Sequence, residues 1–378
     1  MKIHIIIRNV TISVFLIIFC GCSQNRTNLL PSNITTSDSI YFSEPTDVLS
    51  QDIIDSIYWI PLESSHINIF DCISKMSVID NFILIASRNQ SIIQVYSNKG
   101  EFLYQISNKG NGPKEYLEIA TFTATNTSIY VLDNYTHKIS QYNINTGEFI
   151  RKTDIPFIAW DMEAFDDNDF LFSCLNNNPE AKINMNPINY SVWRTNNDWK
   201  FTHFYLPFEQ GYTELYGKTR YFTRSNNSII FHALKYNGYF IFTKHGAPSF
   251  CPIMFNKPLP ENHSYRLTDV NKNSWQFLAE TPFKINGYGI LEISSSGESE
   301  QMFSVDSCHK IYRNSYTNAK NLPINIIGTT NDSFIGYIND DYNLYQELVR
   351  YGFKKANEKT ESILKNGGCS LIIYQMKQ

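Results

Sequence analysis

The sequence contains few of the short patterns that mark catalytic or metal centres. Its histidines form no HxH or HExxH spacing, its cysteines form no CxxC pair, and no GxSxG sequence is present. These absences argue against zinc enzymes, thioredoxin-like redox proteins and serine hydrolases with a nucleophile elbow. We therefore expect no metal and no other cofactor.

Concentrated positive charge is also lacking. The 32 basic residues of the 378-residue chain form no tract, and the net charge is -4. Nucleic acid is therefore not expected as a partner, since proteins that bind it need clustered cations. Ala and Leu, which favour helices, are sparse, whereas aromatic residues reach 15 %, with 24 Tyr and 26 Phe. This composition is typical of a mostly β protein.

One apolar run stands at the N-terminus. Lys2 and Arg8 precede an uncharged run from Asn9 to Cys20, which Gly21-Cys22 closes. This pattern predicts an export signal over residues 1–21. The run has about 12 residues, which is short for a membrane-spanning helix, since such a helix needs roughly 20.

The end of this run, Phe19-Cys20-Gly21-Cys22-Ser23, resembles the lipobox of bacterial lipoproteins. The resemblance implies that Cys22 is lipid-modified and becomes the first residue of the mature chain. Plain secretion and an uncleaved membrane helix are the alternatives. Residues 22–39 are rich in Ser, Asn and Thr, which predicts a flexible tether. No acidic cluster follows Cys22, which favours a periplasm-facing anchor in the cell envelope over export to the cell surface.

The remaining cysteines are scattered singly along the chain. They are Cys72, Cys174, Cys251, Cys308 and Cys369. An odd number leaves at least one thiol unpaired even in an oxidising compartment. Most of them are expected to be small buried hydrophobic residues.

One pattern occurs twice in the chain, in residues 81–106 and 127–153. Tyr96 aligns with Tyr142, and after one inserted residue Gly100-Glu101-Phe102 aligns with Gly147-Glu148-Phe149. Each copy has an apolar strand, a polar turn, an alternating strand ending in tyrosine, a glycine turn and a further strand. The period of 46 to 47 residues lies in the range for β-propeller blades.

Weaker copies of the pattern follow, and residues 40–378 accommodate six to seven units of roughly 50 residues. We predict an all-β fold, a six-bladed β-propeller over residues 40–378. Residues 57–62 and 369–376 are expected to be strands of one blade, because an open ring would expose two sheet edges. One amphipathic helix is predicted between Asp340 and Gly368, inserted in the last blade.

The stretch Gly110-Asn111-Gly112-Pro113-Lys114-Glu115-Tyr116 lies between two predicted strands. It resembles the Gly-Arg-Gly-Pro-Gly-Glu-Tyr/Phe corner of a family of Gram-negative lipoproteins described as six-bladed β-propellers. Residues 129–133 and 142–149 are similar to that family's strand ending in Asp and to its glycine turn. Asn111 and Lys114 stand where the family has Arg and Gly. The resemblance implies the fold and the lipid anchor but no particular activity.

We interpret this corner as structural rather than catalytic. A phosphate-binding loop normally opens a helix, whereas the residues after Tyr116 alternate like a strand. Gly110 and Gly112 would permit the sharp turn, Pro113 would fix it, and Tyr116 would anchor it by packing. Lys114 and Glu115 are only weak candidates for contact with a ligand.

Other candidate site residues are acidic or aromatic. Propeller enzymes can hold a metal on the central axis with Glu, Asn and Asp, and the acidic candidates here lie near predicted strand ends: Asp133, Asp161, Glu163 and Asp332. Turn capping is the favoured interpretation for them. Aromatic residues in apparent insertions could stack on sugars or pack on the ring, with packing favoured: Trp160, Trp193, Trp199, Tyr212, Tyr216 and Trp275. The candidate ligand-binding residues are Asp133, Trp160, Tyr212 and Trp275.

The leading hypothesis is a lipid-anchored propeller that binds a carbohydrate or protein partner in the cell envelope, at one mouth of the central channel. The first alternative is a metal-dependent propeller hydrolase or lyase acting on lactone, ester or glycan substrates. The second is a purely structural lipoprotein, which would have no cleft.

Overall fold

The fold is described from a computed structural model. The description covers residues 33–43, 45–63, 70–174, 189–207, 218, 220–260, 267–295, 298–315, 325–350 and 352–377. Among these residues, no helix has the length and apolar character needed to cross a membrane. The predicted signal peptide over residues 1–21, Cys22 and Tyr212 lie outside the described residues, so their predicted roles stay predictions.

The described chain consists mostly of short strands. In chain order the elements are β1 (Thr35–Thr36), β2 (Ile40–Phe42), β3 (Asp47–Leu49), α1 (Ser50–Ile53), β4 (Ile54–Pro61), β5 (Lys75–Ile79), β6 (Phe82–Ser87), β7 (Ile92–Ser97), β8 (Phe102–Ile106), β9 (Thr121–Ala124), β10 (Ser128–Asp133), β11 (Lys138–Asn143), β12 (Phe149–Asp154), β13 (Asp161–Asp166), β14 (Asp169–Ser173), β15 (Tyr190–Thr195), β16 (Phe201–Pro207), β17 (Phe222–Ser225), β18 (Ser228–Phe231), β19 (Gly238–Thr243), β20 (Ser249–Phe255), α2 (Leu267–Asn273), β21 (Gln276–Leu278), β22 (Phe283–Ile285), β23 (Tyr288–Ser295), β24 (Glu298–Val305), β25 (Lys310–Ser315), β26 (Gly328–Thr329), β27 (Ser333–Asn339), α3 (Tyr342–Arg350), α4 (Glu358–Lys365) and β28 (Cys369–Met376).

These strands form the six blades of an all-β propeller, as predicted. Blades 1, 2 and 3 are the antiparallel sheets β5–β8, β9–β12 and β13–β16, and blade 4 is β17–β20. Blade 5 contains β22–β25, with β21 paired to the far end of β23, and blade 6 contains β26, β27, β28 and β4. The first strands of neighbouring blades contact one another, so they line the central axis.

The repeated sequence pattern has one geometry in blades 1 and 2. Tyr96 and Tyr142 are both buried, and each meets the edge of the following phenylalanine, Phe102 or Phe149, with ring centroids 5.8 Å apart. The glycine before that phenylalanine has positive φ in both copies, +84° in blade 1 and +72° in blade 2. A left-handed residue at this turn is what glycine permits at low cost.

Blade 6 closes the ring with strands from both ends of the described chain, which confirms the predicted pairing. β28 pairs antiparallel with β4, so that Tyr374 lies opposite Ile57 and Ile372 lies opposite Trp59. In this blade β28 is the third strand, and β4 pairs with the outer edge of β28. An exposed edge of β28 is thereby avoided.

The segment before β4 joins blades 4 and 5. β1 and β2 pair parallel with β20, while β2 and β3 pair parallel with β25. Ile40 and Phe42 are buried in this seam. Thr35 and Thr36 belong to the range predicted as a tether over residues 22–39, so the part of the chain that contacts the propeller begins before residue 40.

The predicted single helix near the C-terminus is wrong, because the structure has two, α3 and α4. Gly352, with φ of +90°, follows α3, and Asn357 begins α4 by accepting a hydrogen bond from Thr360 N (2.9 Å). Between the helices, Phe353 is buried and meets the ring edge of Trp59 in β4. Burial of Phe353 against blade 6 stabilises the break between the two helices.

Candidate functional site at the propeller axis

The N-terminal ends of the inner strands meet around an open space. A cavity of about 560 Å³ is lined there by residues of blades 1, 3, 4, 5 and 6. A neighbouring space of about 350 Å³ shares five lining residues with it: Ser74, Lys75, Arg88, Lys218 and Arg220. We call the two spaces together the axial cavity. The ligand site predicted at one mouth of the channel stays a prediction, and the axial cavity is the space that such a ligand would occupy.

One wall of the axial cavity is a buried ion cluster, which we call the axial ion cluster: Lys75, Asp161, Glu163 and Arg224. Lys75 Nζ lies 2.8 Å from Asp161 Oδ1 and 2.9 Å from Glu163 Oε1. Arg224 Nη2 lies 3.2 Å from Glu163 Oε2. The side chain of Lys75 is 15 % exposed and those of both carboxylates are 5 % exposed. Because burial weakens screening by water, these pairs interact strongly.

Hydroxyl and amide groups complete the coordination of the two carboxylates. Thr121 donates to Asp161 Oδ1 (2.9 Å), and Thr123 donates to Glu163 Oε2 (3.0 Å). The backbone amides of Tyr221 and Phe222 donate to Asp161 Oδ2 at 3.1 and 3.0 Å. Side chains and amides from blades 1 to 4 thus converge on one cluster, which fixes the inner strands against each other.

Burial and pairing act in opposite directions on the charges of this cluster. Burial alone would lower the pKa of Lys75, but Asp161 and Glu163 outweigh it and raise the pKa above its ordinary value. Burial alone would raise the pKa of Asp161, but Lys75 and the donors around it hold the pKa below its ordinary value. Both groups are therefore charged near neutral pH, and Lys75 is not suited to act as a nucleophile or base.

The acidic residues considered for a metal site are not arranged as one. Asp161 and Glu163 do come together at the axis, but the Lys75 ammonium lies between them. Asp332 instead accepts hydrogen bonds from Thr330 and Ser333 in the turn before β27. In the described part of the chain, no three His, Cys, Asp or Glu side chains are grouped closely enough to hold a metal.

Three further cations face the axial cavity from its rim. Arg88, an exposed residue after β6, donates to Ala120 O (2.7 Å), and Lys218 donates to His232 O (2.9 Å). The Arg220 guanidinium lies 4.3 Å from the ring centre of Phe283. Burial lowers the pKa of Arg220, while Glu280 and Glu292 oppose this effect.

Of the four candidate ligand-binding residues, only Trp160 lies in this site among those described. It is half-buried, lines the smaller space of the axial cavity, and has its ring centre 5.7 Å from that of Tyr221. Trp275 is half-buried and packs elsewhere, against an apolar cluster that includes Val270 and Phe277. Trp193 and Trp199 are buried in blade 3, as the packing interpretation predicted.

Asp133 has a structural role. It is 1 % exposed, its Oδ2 accepts from Leu117 N (2.8 Å), and its Oδ1 accepts from the amides of Tyr135 and Thr136 at 3.0 and 3.2 Å. The carboxylate therefore ties the corner segment to the turn after β10. This arrangement matches the turn-capping interpretation of an aspartate that follows a buried strand.

The corner at residues 110–116 connects blade 1 to blade 2. Tyr116 is fully buried and donates to Ser91 O (2.8 Å), so it anchors the corner as predicted. Glu115 is half-buried, and its carboxylate accepts a hydrogen bond from Gly112 N within the corner (2.7 Å). Neither Gly110 nor Gly112 has a positive φ, and a Cβ on Gly110 would require the end of the Glu115 side chain to move.

Sequence reasoning missed the cations of the axial cavity. Lys75, Arg88, Arg220 and Arg224 come from blades 1 and 4, and no spacing in the chain brings them together. A usable signal was available at Lys75, which is the one charged residue of the inner strand β5 and stands at its start. A charge at the start of a buried strand needs a partner across the ring.

Fold and site together define a six-bladed β-propeller with a polar axial cavity. The chain belongs to the family described as Domain of unknown function (DUF4934), which matches residues 32–347. No curated protein matches the sequence at a significant level.

A solved structure shows the same fold at low sequence identity. An exported protein from Bacteroides fragilis has a TM-score of 0.70 and 16 % identity, covering 90 % of this chain and 100 % of its own. A member of the DUF4221 family from Bacteroides vulgatus has a TM-score of 0.48 and 12 % identity, covering 86 % and 97 %. Apo AztD from Citrobacter koseri has a TM-score of 0.36 and 12 % identity, covering 62 % and 59 %. At 16 % identity, the similarity to the Bacteroides fragilis protein concerns the fold alone.

Proposed function

We propose that this protein is a ligand-binding module of the bacterial cell envelope, held to a membrane through lipid on Cys22, and that its ligand binds in the axial cavity. The observation that carries the proposal is the cavity of about 560 Å³ at the N-terminal ends of the inner strands. Its volume is in the range of about 300 to 1,000 Å³ that small-molecule sites occupy. The second alternative, a purely structural lipoprotein without a cleft, does not account for this space.

The chemistry of the cavity favours binding over catalysis. The two buried carboxylates of the axial ion cluster are engaged by Lys75 and Arg224 and accept further hydrogen bonds. A carboxylate held in this way is a poor general base, because its charged form is already stabilised. A polar cavity with fixed donors and one aromatic wall is instead what a recognition site needs.

Ligand-induced stabilisation tests this proposal. Purified full-length protein is melted with panels of saccharides, carboxylic acids and short peptides, and at least one class is expected to raise the melting temperature. A ligand at 100 times its Kd contributes about 2.7 kcal/mol. Asn89→Trp, which adds bulk to an exposed residue of the cavity rim, should abolish the effect, whereas Asn98→Trp, at an exposed turn outside the lining, should preserve it.

Two results would overturn the proposal. One is that no class stabilises the protein, and the other is that ligands stabilise the Asn89→Trp variant as well as the unmodified protein. Turnover of a lactone, ester or glycan by the purified protein with a bound metal would establish the hydrolase or lyase alternative instead.

The lipid anchor has a separate test. Cells that express the full chain are labelled with a palmitate analogue, and the protein is expected to carry label and sediment with membranes. Cys22→Ala should lose both properties because the lipid-accepting thiol is absent. Cys20→Ala, within the predicted signal peptide, is the matched control and should keep both. Membrane-bound but unlabelled protein would contradict the lipid anchor.

A further inference from the structure

We infer that the outer strand of blade 3, β16, contacts the membrane that holds the lipid of Cys22, with Phe201 and Phe204 in the headgroup layer of the bilayer. This inference rests on the lipid anchor of the proposed function and adds the surface by which the propeller itself meets the membrane. The exposed rings, the position of the tether and the small size of the surface support it in turn.

The outer strand of blade 3 carries exposed aromatic rings. Phe201 and Phe204 are 37 % and 40 % exposed, and among the described residues they are the only two large exposed hydrophobic residues that share one strand. Their ring centres lie 5.2 Å apart, and the ring of Phe204 stacks on that of the half-buried Tyr190 at 5.0 Å. We call Tyr190, Phe201 and Phe204 the aromatic strip.

The core of blade 3 supports the aromatic strip from the protein side. The buried Phe157 has its ring centre 5.7 Å from that of Phe201 and 5.3 Å from that of the buried Trp193. Trp193 lies opposite Phe204 in the ladder between β15 and β16. The exposed rings are therefore held at the surface by packed aromatic neighbours, which lowers the entropy cost of using them in a contact.

The described chain begins beside this strand. Asn33, the first described residue, lines a surface groove of about 720 Å³ together with Thr202 and His203 of β16. These two residues stand between the two phenylalanines of the aromatic strip in the strand sequence FTHFYLP. The chain that leads to the proposed lipid therefore departs next to the strand that carries the strip.

The connection to the proposed lipid is short. Asn33 follows Cys22 by 11 residues. A chain of this length spans at most about 40 Å, and on the order of 20 Å when it is flexible. A lipid on Cys22 therefore keeps β16 near the bilayer, and this proximity acts as a high local concentration that makes a weak surface contact effective.

The strand suits a bilayer better than a protein partner. A fully exposed aromatic side chain offers about 150 to 250 Å², so Phe201 and Phe204 expose on the order of 150 Å² together. A stable protein interface needs about 800 Å² from each partner. A bilayer requires no complementary shape, and its interface accepts aromatic side chains. β16 has no acidic residue, and Lys200 before it pairs with Asp198 at 3.6 Å.

Contact through β16 leaves the propeller able to bind a ligand. β16 is the outermost strand of its blade, whereas the axial cavity lies at the N-terminal ends of the inner strands. An outer strand faces away from the central axis, so a membrane that contacts it does not cover the axial cavity. The inferred surface and the proposed ligand site can therefore be occupied together.

Photocrosslinking in cells tests the inference. The full chain is expressed with the photoreactive residue benzoylphenylalanine at one position, and adducts are identified by mass spectrometry. Phe201→benzoylphenylalanine and Phe204→benzoylphenylalanine are expected to give lipid adducts. Tyr58→benzoylphenylalanine is the matched control and should give none above background. Tyr58 is 44 % exposed on β4, the outer strand of blade 6, which stands opposite blade 3 in the ring.

A second substitution separates apolar contact from mere proximity. Phe204→Ser should weaken the contact about tenfold and lower lipid adducts from position 201 accordingly, because an apolar ring is lost from the interface. Phe204→Leu should retain the adducts. High salt should leave them unchanged, since the aromatic strip carries no charge. Equal melting temperatures of the two variants show that both are folded.

The outcomes distinguish the inference from the proposed function. The inference is overturned if positions 201 and 204 give no lipid adducts, if position 58 gives as many, if the adducts are with protein instead of lipid, or if Phe204→Ser has no effect. In each of these cases the lipid anchor still stands when the palmitate analogue labels the protein. Both proposals fall if the protein is unlabelled and does not sediment with membranes.

Discussion

Lys75 is the residue at which three blades meet. Lys75 is the first residue of β5 in blade 1. Its ammonium contacts Asp161 and Glu163 of blade 3 and lies 3.4 Å from Thr121 Oγ1 of blade 2. A buried charge of this kind is costly to desolvate, and it is tolerated only with several partners. The axial ion cluster therefore fixes the relative position of the blades more than it adds to net stability.

Removal of one partner should reveal this dependence. Asp161→Asn keeps the size of the side chain but leaves Lys75 with one carboxylate, and we expect a loss of about 3 kcal/mol or more in the free energy of unfolding. Urea denaturation measures the change. Asp154→Asn removes an exposed partner of Lys138 and serves as the matched control, with no measurable effect expected. Equal stability of the two variants would contradict the structural role of the cluster.

The same carboxylate predicts a pH dependence. Its pKa in the folded protein is below the ordinary value of 3.8, so its contribution to stability is complete above pH 3.8 and is lost as pH falls through the lower folded value. The stability difference between the unmodified protein and Asp161→Asn should therefore shrink in acid. Urea titrations at neutral pH and at successively lower pH measure this difference, and a gap that stays constant would rule out the assigned cause.

Among the elements, the segment β1–β3 has the least expected position. It supplies parallel strands to the outer edges of blades 4 and 5, which join these blades into one sheet of 12 strands. Edge strands of a sheet are prone to pair with other chains, and the segment covers two of them. Composition alone predicted a tether that includes its first strand, because short polar strands that pair with a distant edge carry no periodic pattern of their own.

Phe42 allows this element to be tested. It is 4 % exposed and its ring centre lies 5.5 Å from that of Phe255, so Phe42→Ala should cost about 3 to 5 kcal/mol. The neighbouring Tyr41 is 55 % exposed, and Tyr41→Ala should change stability little. Thermal and urea denaturation of both variants give the comparison, and similar losses would argue against burial of this segment.

At the scale of the whole molecule, the sequence predicted the propeller fold but not the set of residues that line the axial cavity. Blades 1 and 2 repeat one local pattern, with Tyr96 and Tyr142 at equivalent buried positions, and local patterns can be detected in one sequence. The axial cavity combines Lys75 with Arg220 and Trp160 from distant parts of the chain, and only the closed ring brings them together. Trp160, which lines this cavity, was a candidate from its residue type, whereas Arg220 carried no local signal.

The distribution of thiols is a further property of the whole molecule. The five cysteines in the described residues form no disulfide, with Cys174, Cys251 and Cys369 buried and Cys72 and Cys308 exposed. Burial raises the pKa of Cys369 to about 12 and also raises that of Cys251. Maleimide labelling resolved by mass spectrometry should therefore modify only Cys72 and Cys308 of these five in the native protein, because the thiolate is the reactive form.

Denaturant provides the control for this experiment. All five thiols should react once the propeller is unfolded, which shows that the native protection comes from structure. Native labelling of Cys369 at a rate similar to that of Cys72 would contradict the closed packing of blade 6.

The closure of blade 6 also determines when this protein can finish folding. Ser370 donates to Ile60 O at 3.1 Å across a sequence separation of 310 residues, so the ring gains these contacts only after β28 has been made. Contacts of such long range form slowly because a large loop must be closed first. A chain truncated before β28 would leave β4 without its strand partner in blade 6 and β27 paired only with the short strand β26. The ring therefore closes only when β28 is present, and copies truncated before β28 are distinguishable from copies that contain it by the exposed edges of β27 and β4.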